Sequence, residues 1–506
     1  MNLAQIAEGH DPHAVALISR GRESTYAELT DQVARLRGGL VQHRVLPGDR
    51  VAIMCGNNRF FVASYLAVLG VGAVAVPLNP ASPAPELERE LAVVEPVAAV
   101  LDAGSAQVWR SLSPAATSTV RLTVSAEADV PGATAFDELL AVAPALILDV
   151  EPDHPAVMMF TSGTAGPPRA AVLTHANLLA NLEQSNTARD RILPSDVVYG
   201  VLPLFHIYGL NVVLGSVLQA GATVLLVQRF DPATAIQSIV QRGVTVVPGA
   251  PPMWVSFSTF DDAPADAFAG VRLALSGAAR LPPRAAERMR AAFGLDIAEG
   301  YGLTEAGPVV TSSAGFERRP GSVGRVLDGQ QVRLVDHDGN DVLLGDSGEI
   351  WVKGPNVFAG YHGDPEATAR VLVDGWLRTG DIGMVDDDGY LYLVDRAKDL
   401  IIVSGFNVYP AEVEEVLVQH PAVAEVGVVG VPHPHDGEAV KAYVVLADDA
   451  DGGHPAIDEE ALIAYAGQFL ARYKCPSKVL FVGQLPRNAA GKLVRRELEG
   501  TLLGAL

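Results

Sequence analysis

Cysteine is scarce in this chain, with only Cys55 and Cys475 among 506 residues. Two thiols so far apart in sequence match neither a metal-ligand spacing nor a disulfide framework. Sparse cysteine fits a reducing compartment. The first residues, MNLAQIAEGHDPH, also lack the basic and apolar regions of a secretory signal. We therefore expect a cytoplasmic protein.

The chain has few positively charged residues: it contains 37 Lys and Arg but 59 Asp and Glu, which gives a net charge of −22. A surface this acidic argues against broad binding of nucleic acid or anionic lipid headgroups. A local basic cluster near the C-terminus is interpreted either as a solvated face or as a lid that meets phosphate groups. Its members are Arg472, Lys474, Lys478, Arg487, Lys492, Arg495 and Arg496.

Charge is missing altogether from two long stretches, residues 60–85 and 197–228. Either is long enough to suit a membrane span. However, Gly70 and Pro77 interrupt the first stretch, and Pro203 interrupts the second. Because glycine and proline punctuate secondary structure, we predict buried helices and strands here and no transmembrane segment.

Short apolar runs alternate with helical patterns through the first three hundred residues, for example at 51–54, 156–160 and 223–227. Continuous apolar strands separated by helices are typical of largely parallel sheets that are covered on both faces. The predicted fold class is therefore α/β, with a large N-terminal body of α/β sheets.

The pattern changes near residue 321, where short alternating strands and Asp-Gly turns indicate a small antiparallel β subdomain. After residue 395 a new α+β pattern begins. A single compact domain rarely exceeds ~300 residues. We predict an N-terminal domain at 1–394 and a mobile C-terminal α+β lid domain at 395–506, with a hinge near Lys398.

The strongest local motif is TSGTAGPPR at residues 161–169, which follows an apolar strand. Glycine and small hydroxyl residues let backbone N–H groups point at an anion. The alternative is an ordinary strand–helix loop. It is not a Walker A loop, because the GxxxxGK[ST] pattern is absent.

Two further strings, EGYGLTE at 299–305 and WLRTGD at 376–381, combine glycine with an aromatic ring or a carboxylate. The first suits adenine stacking, phosphate contact and Mg²⁺ ligation, and the second suits a grip on ribose hydroxyls. Either string alone could be a plain turn.

These motifs occur in order with DRAKDLIIVSGFNVYPAEVE at 395–414 and PRNAAGK at 486–492. Together they resemble the adenylate-forming superfamily of acyl-CoA synthetases, peptide synthetase adenylation domains and firefly luciferase, and the acyl-CoA synthetase or fatty acid–CoA ligase family in particular. The string TYAEL at 25–29 extends the resemblance to the N-terminal third. The resemblance as a whole implies that the protein uses ATP and Mg²⁺ to activate a carboxylic acid as an acyl-adenylate. The acyl group then passes to coenzyme A.

The resemblance assigns the N-terminal body to the nucleotide and the metal. Thr161 and Glu305 would hold Mg²⁺, Thr304 would contact the α-phosphate, and Tyr301 would pack on adenine. The resemblance assigns the phosphate loop to Ser162, Gly163, Thr164, Gly166 and Arg169. It assigns the strand end between the acyl pocket and adenine to Gly277, Ala278 and Ala279, and the glycines beside adenine to Gly300 and Gly302.

The end of the N-terminal domain and the lid domain are assigned to the ribose and to both half-reactions. Asp381 and Arg396 would bind the ribose, and Lys398 falls at the hinge. Lys492 would reach the acyl carboxylate and the α-phosphate during adenylation, and Gly405 would line the pantetheine tunnel.

The phosphate loop departs from the family pattern at Ala165, Arg169 and Ala170. Arg169 keeps a positive charge, and its planar guanidinium can donate two hydrogen bonds to phosphate. Ala165 lacks a hydroxyl donor, and Ala170 restricts a normally mobile loop. This departure motivates a second interpretation, a degenerate nucleotide-binding protein. Lys492, Glu305 and Asp381 argue against it.

The segment 204–209 resembles an aromatic-His segment lining the acyl site, with His206 as its histidine. Residues 197–228 and 246–257 are apolar, and no charged residue stands beside His206. We therefore predict a medium- to long-chain fatty acid as substrate. Alternatives are an aryl or short-chain acid–CoA ligase, and a fatty acyl-AMP ligase that loads a carrier protein. Transient membrane contact and a homodimer are left open.

Overall fold

The computed structural model describes residues 1–127, 129–161, 168–187, 190–336, 338–396, 401–403, 406–433, 437–447, 457–470, 472–488 and 493–500. The chain packs as two compact units. The first contains Met1–Val332 with Val352–Arg378, and the second contains Arg333–Trp351 with Thr379–Leu506.

The strands follow one another closely along the chain. They are β1 (Val15–Ser19), β2 (Arg22–Thr25), β3 (Arg50–Met54), β4 (Val74–Pro77), β5 (Ala98–Leu101), β6 (Leu122–Ser125), β7 (Thr134–Ala135), β8 (Pro155–Thr161), β9 (Arg169–Thr174), β10 (Val197–Gly200), β11 (Thr223–Leu226), β12 (Val246–Gly249), β13 (Leu273–Ser276), β14 (Ile297–Gly302), β15 (Val309–Ser312), β16 (Arg325–Val326), β17 (Gln331–Val335), β18 (Gly348–Lys353), β19 (Gly360–Tyr361), β20 (Leu372–Val373), β21 (Trp376–Val385), β22 (Leu391–Arg396), β23 (Ile401–Val403), β24 (Phe406–Val408), β25 (Val423–His433), β26 (Gly437–Leu446) and β27 (Lys478–Phe481).

The α-helices are α1 (Tyr26–Gln42), α2 (Arg59–Gly70), α3 (Ala84–Val94), α4 (Ala106–Ser111), α5 (Phe136–Leu140), α6 (His175–Asn186), α7 (Ser216–Ala220), α8 (Pro232–Arg242), α9 (Pro251–Ser258), α10 (Pro283–Phe293), α11 (Pro365–Val371), α12 (Pro410–Leu417), α13 (Glu459–Ala466) and α14 (Arg495–Gly500). A π-helical segment, Tyr208–Gly215, leads directly into α7. Short 3-10 turns include Leu3–Ala7 and Thr304–Ala306.

Two large sheets form the first unit. Among the described residues, one sheet has the order β16-β15-β14-β13-β12-β10-β11-β1-β2 and the other has the order β19-β9-β8-β4-β3-β5-β6-β7. The pairs β12 to β13, β13 to β14, β3 to β4 and β3 to β5 are all parallel. The predicted strands at 51–54, 156–160 and 223–227 are thereby confirmed.

Local sequence explains where several helices begin. Thr25 caps α1 with a capping box to Glu28, and Thr174 caps α6 with a capping box to Asn177. Asp231 caps α8, whose first residue is a proline. These side chains satisfy backbone N–H groups that have no partner inside the helix.

The uncharged stretch 60–85 folds as predicted into buried elements. Helix α2 is buried on all sides from Phe60 onward, and Val74–Pro77 forms the buried strand β4. A helix that is apolar on every face belongs in a core. Within the described residues, no helix is both long and apolar enough to cross a membrane.

The second unit contains antiparallel strands and an α+β region, as the sequence predicts. Strand β21 pairs with β22, and β25 pairs with β26 along its whole length. Helices α12 and α13 pack on that sheet through Val413, Leu417 and Leu462, which are fully buried. At this point of the chain the second packing unit begins at residue 379, whereas the predicted C-terminal domain begins at residue 395. The difference arises because β21 pairs with β22 and packs with the second unit. The domain boundary and the hinge near Lys398 stay predictions.

Candidate active site

The carboxyl ends of β12, β13 and β14 lie side by side, because these strands are neighbours and run parallel. In open α/β sheets this edge is where ligands bind. The Gly277 N–H donates to the Gly249 carbonyl at 3.2 Å across this edge. The strings 277–279 and 299–305 therefore meet at one end of the sheet.

The glycines of the EGYGLTE string permit close backbone approach. A Cβ on Gly302 would lie 2.1 Å from the carbonyl oxygen of Pro308, and one on Gly300 would lie 2.9 Å from that of Thr311. Between them, Tyr301 is only 7% exposed. Glycine is required at positions 300 and 302 because β15 folds back onto β14 and leaves no room for a Cβ atom.

Glu305 sits in a 3-10 turn that several hydrogen bonds hold in place. Its carbonyl accepts from the Phe358 N–H at 2.9 Å. The amide of Asn356 donates to the Ala306 carbonyl at 2.7 Å, and the amide of Asn211 donates to the Gly307 carbonyl at 2.8 Å. The carboxylate is thereby carried on a fixed backbone.

Tyr361 connects Glu305 with the end of the phosphate loop. Its hydroxyl donates to Oε1 of Glu305 at 2.7 Å. The guanidinium carbon of Arg169 lies 5.9 Å from the centre of the Tyr361 ring, and Nε of Arg169 donates to Oδ2 of Asp364 at 3.2 Å. These contacts form one chain from Asp364 through Arg169 and Tyr361 to Glu305.

Strand pairing creates this chain of contacts. Thr161 and Arg169 face each other at the ends of antiparallel β8 and β9. On the other edge of β9, Tyr361 pairs with Ala171. The phosphate loop thus joins two antiparallel strands. The loop leads into β9, which precedes the helix that Thr174 caps, so it does not connect directly to a helix. Its role in binding phosphate stays a prediction.

Charge and burial fix the protonation states of this cluster. Burial, followed by the neighbouring Glu305 carboxylate, raises the pKa of Tyr361 far above its usual range, so its phenol stays a donor. The Ala367 N–H, followed by Arg169, holds the pKa of Asp364 below its usual value. Burial raises the pKa of Glu299, whose Oε2 accepts from the Leu281 N–H at 3.4 Å.

The turn after β13 has an unusual backbone. Ala278 adopts φ of 69°, a left-handed conformation that is rare for residues other than glycine. Beside it, a Cβ on Gly277 would lie 2.9 Å from Cε1 of Tyr208. Residues with such strained backbones cluster at ligand and active sites.

His206 lies at the entrance of the π-helical segment. Its Nδ1 accepts a hydrogen bond from the Tyr208 N–H at 3.2 Å, so the proton of the neutral ring belongs on Nε2. Asn57 fixes the preceding loop, because its amide donates to the carbonyls of Gly200 and Leu202 at 3.0 and 2.8 Å.

In the second unit, the predicted ribose residues are brought together. Asp381 on β21 stands directly opposite Arg396 on β22. The Asp381 N–H donates to Oγ1 of Thr379 at 3.1 Å, and the Gly380 N–H donates to Oε1 of Glu349 at 3.2 Å. These bonds shape the turn that carries the Asp381 carboxylate.

Several members of the basic cluster form ion pairs within the second unit. Lys474 contacts both carboxylate oxygens of Glu412, at 2.6 and 2.8 Å. Arg495 likewise contacts both oxygens of Glu414, at 2.8 Å each. These two cations therefore have structural partners.

Other predicted site residues lie outside the described part of the chain: Ser162, Gly163, Thr164, Gly166, Lys398, Gly405 and Lys492. The backbone of Arg396 is described, but not its side chain. Tyr361 and Asp364 were missed by the sequence interpretation. No local pattern marks them, because their role depends on pairing with β9, almost two hundred residues earlier.

Comparisons with known proteins agree with this geometry. The family model of the AMP-binding enzymes matches residues 4–362, and that of the AMP-binding enzyme C-terminal domain matches residues 412–492. A feruloyl-CoA synthase of Amycolatopsis sp is 38% identical over 500 residues, 96% of each chain. The long-chain-fatty-acid–CoA ligase of Bacillus subtilis strain 168 is 32% identical over 517 residues, 96% of this chain and 91% of the ligase. ATP-bound MatB from Rhodopseudomonas palustris has a TM-score of 0.91 and 33% identity, with 99% of each chain covered.

The fold and site thus define an adenylate-forming enzyme of mixed α/β class with a large N-terminal body and a smaller C-terminal part. The chain belongs to the AMP-binding enzyme family. Its enzyme class is acid–thiol ligase, AMP-forming. The predicted family, fold class and enzyme class are confirmed.

Proposed function

We propose that the protein ligates a carboxylic acid to coenzyme A in two steps at the edge formed by β12, β13 and β14. A carboxylate oxygen attacks the α-phosphorus of ATP and pyrophosphate leaves. The CoA sulfur then attacks the acyl carbon, AMP leaves, and the thiol proton is lost. The contact chain from Arg169 through Tyr361 to Glu305 carries this proposal, since it joins the cation proposed to bind phosphate to the carboxylate proposed to bind Mg²⁺.

Glu305 and Thr161 suit Mg²⁺. Magnesium prefers oxygen ligands and is usually held by one or two carboxylates together with substrate phosphates and water. The carboxylate of Glu305 is oriented by Tyr361, and Thr161 ends β8 at the phosphate loop. Among the described residues no group of three His, Cys, Asp or Glu side chains is suited to hold a metal. Bound there, Mg²⁺ supplies charge neutralisation for the phosphates.

Arg169 is free to exchange partners. Its ion pair with Asp364 leaves each side chain 35% exposed. Partly exposed pairs of this type contribute little to stability. A β- or γ-phosphate offers Arg169 stronger, bidentate hydrogen bonds, so phosphate can replace the carboxylate at little cost. Ser162, Gly163, Thr164 and Gly166 are proposed to donate to the same phosphates.

The nucleotide base and the α-phosphate are proposed to bind on the strand ends. Tyr301 would pack on adenine between Gly300 and Gly302, and Thr304 would contact the α-phosphate. The turn of Gly277, Ala278 and Ala279 would separate adenine from the acyl group. The strained backbone of Ala278 and the rigid Glu305 turn support these roles, because catalysis of phosphoryl chemistry depends on positioning.

The second unit is proposed to supply the ribose and catalytic groups. Asp381 and Arg396, paired across β21 and β22, would bind the ribose hydroxyls. Lys492 would neutralise charge at the acyl carboxylate and α-phosphate. For the second step, Lys398 would act as the hinge of a lid, and Gly405 would line the tunnel for the pantetheine arm.

The acid is proposed to be either a fatty acid or an aryl acid. The relatives include enzymes for both classes, namely feruloyl-CoA synthases and long-chain-fatty-acid–CoA ligases. His206 is proposed to border its carboxylate. The medium- to long-chain fatty acid predicted from apolar segments stays one candidate, and an aryl acid is the other.

The test is pyrophosphate release with ATP, Mg²⁺ and CoA across a panel of fatty, aryl and short-chain acids, with products identified by mass spectrometry. We expect a CoA thioester and AMP with at least one acid. Formation of acyl-AMP without thioester would favour a carrier-protein ligase. ATP binding without pyrophosphate release on any acid would favour the degenerate protein and contradict the proposal.

A further inference from the structure

A cavity of about 180 Å³ opens beside the β1–β2 hairpin, and none of its lining residues belongs to the proposed active site. Clefts that hold whole organic ligands measure roughly 300–1,000 Å³, so this cavity suits one small group. Although the chain has a net charge of −22, three arginines line the cavity. The lining residues of this arginine cavity are Ser19, Arg20, Arg22, Asn58, Arg59, Phe60 and Glu127.

The arginine cavity lies at the carboxyl ends of strands from both large sheets. Ser19 ends β1, which runs parallel to β11. Asn58 follows β3 and Glu127 follows β6, and both strands run parallel to β5. In open α/β sheets, ligands bind in the crevice outside the carboxyl ends of the strands. The cavity therefore occupies a position typical of a ligand site.

The cavity shares an edge with the proposed active site but stands apart from it. The sheet order β13-β12-β10-β11-β1 is parallel throughout. Because neighbouring strands lie about 4.8 Å apart, β1 stands roughly 19 Å from β13. A group bound in the arginine cavity is therefore distant from the reacting groups proposed to bind beside Gly277.

The backbone of two charged lining residues is unusual. Arg20 and Glu127 have φ of 50° and 59°, a left-handed conformation that is rare outside glycine. Arg20 and Gly21 form the two-residue turn between β1 and β2, and both have positive φ. The first position of such turns favours Asn, Asp or Gly. The turn itself does not explain an arginine there, whereas a role for its side chain in the cavity does.

The three guanidinium groups of the cavity share one lining carboxylate. Nη1 of Arg20 lies 2.5 Å from Oε2 of Glu127, and these side chains are 52% and 41% exposed. Pairs as exposed as this contribute little to stability. Within the ranges that the structure describes, Arg22 and Arg59 form no ion pair. The cavity therefore has an excess of positive charge that an anion can neutralise.

The start of α2, which carries Arg59, is rigid. Asn58 is 1% exposed, and its Oδ1 accepts from the N–H groups of Phe60 and Phe61 at 3.0 and 3.1 Å. Its Nδ2 donates to Oδ2 of Asp102 at 2.7 Å. The guanidinium carbon of Arg59 lies 4.7 Å from the centre of the Phe60 ring. Arg59 thus extends from a fixed backbone before any ligand binds.

We propose that the arginine cavity binds a terminal phosphate group and is distinct from the ATP site. Guanidinium groups donate paired hydrogen bonds to phosphate, and the phosphate replaces Glu127 on Arg20. Two sources carry this chemistry, free inorganic phosphate and the 3′-phosphate of coenzyme A. The second source rests on the proposed function. Coenzyme A carries its 3′-phosphate at the opposite end from its thiol, which suits a site distant from β13.

Isothermal titration of the full-length protein with inorganic phosphate measures the site directly. The double variant Arg20→Ala with Arg59→Ala should raise Kd by about tenfold or more, because hydrogen bonds to charged groups are lost. Glu127→Gln should lower Kd, since it removes the competing carboxylate, and misfolding would not cause this opposite change. Arg169→Ala, at the proposed ATP site, should retain the binding.

Arg121→Ala is the matched control for the titration. Arg121 also pairs with a carboxylate, at 2.7 Å from Asp49, but it precedes β6 and so lies at the opposite edge of the sheet from Glu127. Its removal changes the net charge as much as either arginine substitution in the cavity does. Kd for phosphate should stay unchanged.

The KM values for coenzyme A and 3′-dephospho-coenzyme A distinguish the two sources. If coenzyme A is the source, its KM should be about tenfold or more below that of the dephospho form. The double variant should abolish this difference and leave ATP–pyrophosphate exchange unchanged. If free phosphate is the source, the two KM values should be equal and only the titration should respond to the variants.

An unchanged Kd for phosphate together with an unchanged KM ratio in the double variant would overturn the inference. Loss of phosphate binding in Arg169→Ala, with no effect of the double variant on either measurement, would place the anion at the ATP site and overturn it as well. Absence of a thioester with every acid would instead overturn the proposed function. In that case the phosphate titration still decides whether the arginine cavity is an anion site.

Discussion

The hydroxyl of Tyr361 donates a 2.7 Å hydrogen bond to Oε1 of Glu305, across 56 residues of sequence. Tyr361 is held by strand pairing with β9, and Glu305 is held by a turn bonded to Phe358. The carboxylate therefore has a fixed orientation before any ligand binds. Outer partners of this kind orient metal ligands and tune their affinity.

Removing this hydrogen bond should weaken the metal site. Tyr361→Phe is expected to raise the Mg²⁺ concentration needed for half-maximal ATP–pyrophosphate exchange by about 10–100-fold. Exchange rates measured across a magnesium titration give the value. Tyr392→Phe is the matched control, because Tyr392 donates a comparable bond to Asp386 in the second unit. Equal magnesium dependence in Tyr361→Phe and the unaltered enzyme would contradict the role of Glu305.

Arg169 is expected to contribute to ATP binding through its guanidinium. Arg169→Ala should raise KM for ATP by roughly 10–100-fold, since hydrogen bonds to charged groups contribute about 1.5–3 kcal/mol. Asp364→Asn keeps the cap of α11 but removes the competing charge, so KM for ATP should stay equal or fall. Steady-state kinetics at saturating acid measure both. A rise of KM in Asp364→Asn would argue that the ion pair itself is required.

Lys492 is predicted to act in adenylation only. Lys492→Ala should slow acyl-AMP formation by about 10²–10³-fold, as loss of a charge-stabilising donor does. Thioester formation from supplied acyl-AMP should continue. Single-turnover measurements of each half-reaction separate the two steps. Lys478→Ala, which removes an exposed lysine on β27, should change neither rate, and full adenylation in Lys492→Ala would remove the basis of the assignment.

His175 makes stability depend on pH. Its ring is buried, its Nδ1 accepts from the Leu3 N–H at 2.9 Å, and burial lowers its pKa to about 4. Because the unfolded state binds this proton near its ordinary pKa of 6.5, the contribution is full above that pH. It is lost progressively as pH falls from 6.5 towards 4, by at most about 3 kcal/mol.

Thermal unfolding between pH 7 and pH 4 measures this dependence. His175→Asn keeps an acceptor for the Leu3 N–H but cannot be protonated in this range. The variant should therefore lose less stability on acidification than the unaltered protein, although its stability at pH 7 will be lower. Parallel curves for the two proteins would show that other groups govern the acid response.

Much of the fold follows from local sequence. The apolar runs at 51–54 and 223–227 became strands because continuous apolar segments are stable only when buried on both faces. Gly300 and Gly302 signalled close backbone approach, and β15 does fold back onto β14. Strand β9, between the phosphate loop and the Thr174 cap, does not follow from the sequence, because so short a strand has no distinct pattern of its own.

The sequence by itself determined the family, the enzyme class, the strand order along the chain and the glycine turns, since each depends on neighbouring residues and short motifs. Only the tertiary structure decided that Tyr361 meets Glu305, that Arg169 lies over Tyr361, and that the ring of Tyr208 lies against Gly277. Such contacts join distant segments through strand register and packing, which no local pattern encodes.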